Sequence, residues 1–139
     1  MVSSTPSVSS APSYLAEPGL LLVRWQAESS PLMLCAEYDT ALALAAAYAT
    51  PRLLLDVRRR AQPPVEAVNW IMLNWLPRTA ARFAPRPLYV AYLLSPERAT
   101  ELAADPFLLS LVHDALAPNC SYQLAVFTDE AAARQWLAG

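Results

Sequence analysis

The sequence predicts an α/β fold whose sheet is largely parallel after an N-terminal hairpin, with helices packed on it. Three observations carry that reading. Short apolar runs recur along the 139 residues, at Leu20–Gln26, Leu53–Val57, 88–94 and Gln123–Phe127. Between the later runs lie segments of ten or more residues with a helical period, the spacing that joins parallel strands. Only the first run has a strand-like partner a tight turn away, at Tyr14–Ala16.

Residues 1–13 are almost all Ser, Pro, Ala, Thr and Val, offering little to bury, and are expected to form a disordered or loosely attached arm to a single domain over 14–139. Pro18-Gly19 turns the chain between the two strands of the hairpin. After Ser29 the period changes from two to 3.6. Ser30 suits a helix N-cap, and Pro31 suits the first helical position, where its missing N–H has no helical partner to lose. Cys35, Tyr38, Leu42, Ala45 and Ala49 then make one apolar stripe, which Pro51 closes. Leu53–Val57 is a continuous apolar strand apart from Asp56, and Pro63-Pro64 opens a second helix. The strand LYVAYLL at 88–94 precedes a less regular helical stretch over about 97–117. Gln123–Phe127 is the last strand, and Thr128 or Asp129 caps a final helix with Ala133, Trp136 and Leu137 along one side.

Composition removes most chemistries. There is no lysine, and only Gly19 and Gly139 are glycines, so neither a phosphate-cradling loop nor a dinucleotide fingerprint can be written, and Schiff-base catalysis is excluded. Cys35 and Cys120 stand far apart with His113 as the one histidine, which does not make a metal site, so no metal and no cofactor are expected. The same residues, with Asp114 beside His113, fit no local nucleophile signature, and both cysteines read as core thiols rather than a disulfide. Twelve acidic against ten basic groups give no basic field for a nucleic acid. No apolar run approaches the roughly 20 residues of a membrane span, and the N-terminus lacks the basic and apolar regions of a secretory signal, so the expected location is cytoplasmic.

Two places remain as candidate sites. A wheel of the second helix at about 100° per residue puts Val65, Ile71, Met72, Trp75, Thr79 and Phe83 within about 60° of Val68 as the core face. Trp70, Leu73 and Pro77 fall on the opposite side with Glu66 and Asn74. An outward Trp beside Leu and Pro has the composition of an interface, although another element of the chain covering it is the alternative. Asp56 ends its strand with Arg58 two residues on, so both side chains point to one side if the strand continues, at the carboxyl edge where open α/β sheets bind ligands. This pair is either a loop anchor or a ligand site. The run Arg58-Arg59-Arg60 reads as a solvated face, with anion binding as the alternative.

VRW ending at Trp25, the helix from Pro31, LLLDVR with Asp56 and Arg58, and WIMLNWLPR from Trp70 to Arg78 together resemble the small bacterial proteins of the STAS/SpoIIAA-like superfamily over nearly all of residues 14–138. The resemblance implies a SpoIIAA-like sheet of four to five strands and a non-enzymatic role in binding partners, with a homodimer as the expected assembly. In STAS domains of anti-sigma factor antagonists, a Ser at the start of the helix after the Asp-bearing strand is phosphorylated. Here VRRRAQPP, between Asp56 and Val65, offers no Ser, Thr or Tyr for a phosphoryl group. The alternative to a protein-interaction or regulatory module is a small-ligand or lipid-binding domain, its apolar pocket near the ends of the strands bearing Asp56 and Leu94.

Overall fold

The computed structural model describes residues 12–25, 28–106, 110 and 121–139. Residues 1–11 of the expected arm, the end of the second strand at Gln26, and His113, Asp114 and Cys120 with the later part of the helical stretch lie outside the described residues.

β1 (Ser13–Leu15) and β2 (Leu20–Arg24) pair antiparallel with Tyr14 opposite Leu21. Gly19 makes their connection possible, since its φ of +94° is one that L side chains rarely adopt, and its N–H donates to the Leu15 carbonyl at 2.8 Å. β3 (Arg52–Asp56), β4 (Leu88–Leu93) and β5 (Tyr122–Phe127) continue the sheet, each parallel to the strand before it, in the order β1-β2-β3-β4-β5. The class expected from the apolar runs is therefore present as a five-stranded mixed sheet.

α1 (Pro31–Ala47) starts as the sequence predicts, with the Ser30 hydroxyl accepting from the Met33 N–H. Its buried stripe differs from the expected one by about one residue: Leu34, Tyr38, Ala41 and Ala45 face the sheet, while Cys35 and Leu42 are half-buried at its flank. Cys35 is a free thiol. Ala49, expected on the stripe, is exposed beyond the helix at φ 53°. Pro51 disfavours a helical residue before it, so the helix closes early. It does so with the Thr50 N–H bonded to the Ala45 carbonyl and the Ala49 N–H to the Ala46 carbonyl, a Schellman cap with alanine in the place glycine usually takes.

The second helical segment runs as α2 (Val65–Trp70), a π-helical turn (Ile71–Trp75) and α3 (Leu76–Phe83). Its buried row, Ala67, Ile71, Trp75, Thr79 and Phe83, steps by four throughout. In an unbroken α-helix that row would wind about 160° around the axis, and a π turn, by admitting one extra residue, takes back about 100° of it. The π turn thus keeps one face on the sheet for the whole segment. A uniform wheel cannot see it, which is why Ala67, Leu76 and Ala80 are core residues absent from the predicted face, and why Val65 and Met72 are only half-buried. Trp70 is also half-buried, not fully outward.

α4 (Pro96–Ala104) follows β4 and is capped by Ser95, whose hydroxyl accepts from the Arg98 N–H at 3.1 Å; α5 (Glu130–Ala138) follows β5 and is capped by Asp129, which accepts from the Ala132 N–H at 3.0 Å. Sequential parallel strands joined by crossovers of one hand place the connecting helices on one face. Leu21, Val23, Leu53, Leu55, Val90 and Leu124 accordingly pack with α1 and the α2–α3 segment, and Ala99 and Leu102 of α4 lie against the same cluster. On the reverse face, Leu20, Leu22, Leu54, Ala91 and Leu93 meet Ala133 and Leu137 of α5.

Candidate functional site

Side-chain alternation decides what reaches the carboxyl edge of the sheet. Leu20, Leu22 and Arg24 of β2 share a face, as do Leu54 and Asp56 of β3, and the register sets Arg24 directly beside Asp56. That face is the one α5 covers, so its first residue, Glu130, arrives at the same point. Arg24 forks onto both oxygens of Glu130 at 2.8 and 2.9 Å and also reaches Asp56 Oδ2 at 2.7 Å. Arg58 donates its backbone N–H and Nε–H to Asp56 Oδ1 and an Nη2–H to Oδ2, at 3.1, 3.0 and 2.8 Å. Arg134, one turn into α5, donates to Glu130 at 3.0 Å.

The pairing of Asp56 with Arg58 is thus present, and Arg24 and Glu130 join it. The sequence offered only a weak signal for them, a charge ending each of two apolar strands and an acid opening a helix. Burial on its own would raise the Asp56 pKa, but the bonds from the Arg58 side chain and backbone, and then from Arg24, outweigh it and hold the carboxyl below its ordinary value. The fork from Arg24 is the largest influence on Glu130 and lowers it likewise. A carboxylate with four donors on its two oxygens has no lone pair presented for proton abstraction. Its position ties β2, β3, the loop after β3 and α5 into one unit.

On the helix-covered face the same edge carries a second group. Tyr38 of α1 is ringed by tryptophans, with Trp25, Trp75 and Trp70 at centroid distances of 4.8, 4.9 and 6.2 Å. The Trp75 indole N–H donates to the Tyr38 carbonyl at 2.7 Å. The Tyr38 hydroxyl meets that of Tyr92 on β4 at 2.8 Å. Burial raises both phenols, Tyr38 to about 12, so both are neutral at pH 7. Arg98 of α4 lies beside them, and Arg60 stacks on Trp25 while pairing with Glu37 at 2.8 Å. Two small hollows open here, of about 40 and about 110 Å³, sharing Tyr38, Gln62, Pro63 and Arg98 as walls. Leu94 lines the smaller, close to where an apolar pocket is expected, but sites for drug-sized ligands are about 300–1,000 Å³.

Of the expected interface residues, Leu73 is 71% exposed and Pro77 is exposed, whereas Trp70 lies edge-on to Tyr38 with the Arg78 guanidinium 5.9 Å from its ring centre. Nothing in the fold brings these three together with Asp56 and Arg58, which belong to the other face. Among the described residues, no group of three or more His, Cys, Asp or Glu side chains is placed to hold a metal, and no helix is long and apolar enough to cross a membrane. No family model matches the chain, and neither a curated protein nor a solved structure does.

Proposed function

We propose that this chain is a STAS-like, non-enzymatic protein-interaction or regulatory module that pairs with a second copy of itself through the outer face of the α2–α3 segment. The strand count supports the STAS-like part: a five-stranded sheet with helices packed on it is what the resemblance implies. The saturated Asp56 supports a binding role over proton-transfer chemistry at the sheet edge.

The observation that carries the reading is the outer row of the segment. Val65, Asn69, Leu73, Pro77 and Ala81 step by four, and the π turn that aligns the buried row aligns this one, with Leu73 at its midpoint. The adjoining row, Glu66, Trp70, Asn74, Arg78 and Arg82, is acidic at its start and basic at its end. A two-fold axis beside Leu73 would run the two copies antiparallel. Glu66 and Arg82 lie eight residues either side of Asn74, about 12 Å along a helix, so each Glu66 would face the other copy's Arg82 across an apolar centre. The partly covered Trp70 then supplies the aromatic border of the patch.

Charge reversal tests this pairing. Glu66→Arg alone and Arg82→Glu alone should each shift the protein toward monomer in sedimentation equilibrium, and the two together should restore association, because the exchanged charges again meet across the axis. A wild-type protein that stays monomeric at about 100 μM, or a double variant no better than either single one, would remove the proposal.

A further inference from the structure

Arg98 is only 8% exposed, and among the described residues no carboxylate pairs with it. Nη1 donates to the carbonyls of Val57 and Arg60 at 3.1 and 3.3 Å, and Nε makes a long bond of 3.4 Å to Gln62 Oε1. Nη2 has no hydrogen-bond partner among the described residues. A guanidinium taken out of water with carbonyl dipoles and no carboxylate in direct contact, only the field of Glu28 across the second hollow, is a costly arrangement. The nearby hydroxyl pair carries a second imbalance. Tyr38 and Tyr92 hold two O–H protons, one of which serves their mutual bond, so the other has no acceptor among the described residues. Both rings are buried, and an unmet donor there is expensive.

These surplus donors line the hollows at the carboxyl edge of β4 and β5; Val68, Ile71, Met72, Leu102, Leu124 and Val126 make an apolar wall to the smaller, while Glu28, Ser29 and Arg60 stand on that of the larger. The geometry points to this cleft as a binding site for a short-chain carboxylate, its oxygens taken by Arg98 and the free tyrosine hydroxyl and its alkyl tail lying on the apolar wall. One negative charge is the most the site can take, since Arg60 is already paired with Glu37 and the Glu28 carboxylate on the wall of the second hollow offsets part of the Arg98 charge. A phosphate dianion would bring a second charge and more oxygens than the donors can serve beside that wall. The small volumes, about 40 and 110 Å³, suit a tail of a few carbons. The positive charge of Arg98 lowers the phenol pKa values against their burial, which agrees with its standing close to both rings.

Butyrate is the probe, titrated calorimetrically into the full chain at constant ionic strength, with butanol and inorganic phosphate in parallel. Butyrate should bind saturably at one site per chain, with butanol and phosphate each at least tenfold weaker. Tyr92→Phe together with Tyr38→Phe keeps both rings and removes whichever hydroxyl is free, and should weaken butyrate about tenfold or more, the loss of one hydrogen bond to a charged group. Arg98→Gln should abolish binding. If that variant does not fold, the double tyrosine variant, which leaves the loop bonds of Arg98 intact, still decides the matter. Phosphate binding as tight as butyrate, wild-type affinity in the double tyrosine variant, or no saturable heat with butyrate up to about 50 mM would each overturn the assignment.

Discussion

Replacing Asp56 by Asn keeps the side-chain shape and removes the charge on which Arg24 and Arg58 converge. The buried carboxylate accepts four hydrogen bonds, three of them from guanidinium groups. Asn retains one acceptor oxygen and turns an NH2 toward donors, so at least two of the four bonds are lost. Bonds to charged groups are worth about 1.5–3 kcal/mol each, but Arg24 and Arg58 keep part of their contact with water and recover some of that loss. A net cost of about 2–3 kcal/mol is expected. With a urea slope of about 2 kcal/mol/M for a domain of this size, the unfolding midpoint should fall by about 1–1.5 M. The pH dependence gives a second reading of the same bonds. Because the folded-state pKa of Asp56 is depressed, its stabilisation is present above the unfolded value of about 3.9 and disappears as pH falls through the lower folded value. The gap between wild type and Asp56→Asn, followed by urea titration with circular dichroism, should therefore be level from about pH 8 to 5 and close below about pH 4. A variant with the wild-type midpoint at pH 7, or a gap undiminished at pH 3, refutes the anchoring role.

Two further predictions concern the backbone. Deleting Leu73 removes one residue from the π turn and should leave an ordinary α-helix with its flanks in their present orientation, so the variant should melt cooperatively within a few degrees of wild type; deleting the exposed Thr40 from α1 would instead turn Ala41 and Ala45 about 100° off the sheet and should abolish that transition. Ala49→Gly relieves a left-handed alanine in the α1 cap and should raise stability by about 0.5–1 kcal/mol, seen as a higher urea midpoint with an unchanged slope; a lower midpoint would show that the cap carries no strain.

What the sequence made legible was local. Ser30 before Pro31, Asp129 before an acidic helix start, and Asp56 two residues from Arg58 each complete their bonds within a few positions, so spacing alone predicts them. The parallel sheet was legible for the same reason, since each strand pairs with the one before it. Glu130 was not, because its bond to Arg24 spans 106 positions and depends on α5 folding across the reverse face. Arg98 reads as an ordinary charge on a short helix until the loop after β3 closes over it with two carbonyls. The π turn is invisible to any constant period. It shifts Leu76 and Ala80 into the core and leaves Trp70 at the core's margin, which a single wheel angle cannot express.

The sequential strand order also sets the history of the chain as it leaves the ribosome. Each parallel strand finds its neighbour already made, so the sheet grows one βα unit at a time and the helix-covered face is sealed progressively. The reverse face is different. Leu54, Ala91 and Leu93 pack with Ala133 and Leu137 of α5, which follows all five strands in the chain. Until α5 has emerged, an apolar surface on the sheet stands open, a natural landing place for a holdase chaperone. The Arg24–Glu130 fork then serves as the closing latch, formed when α5 docks.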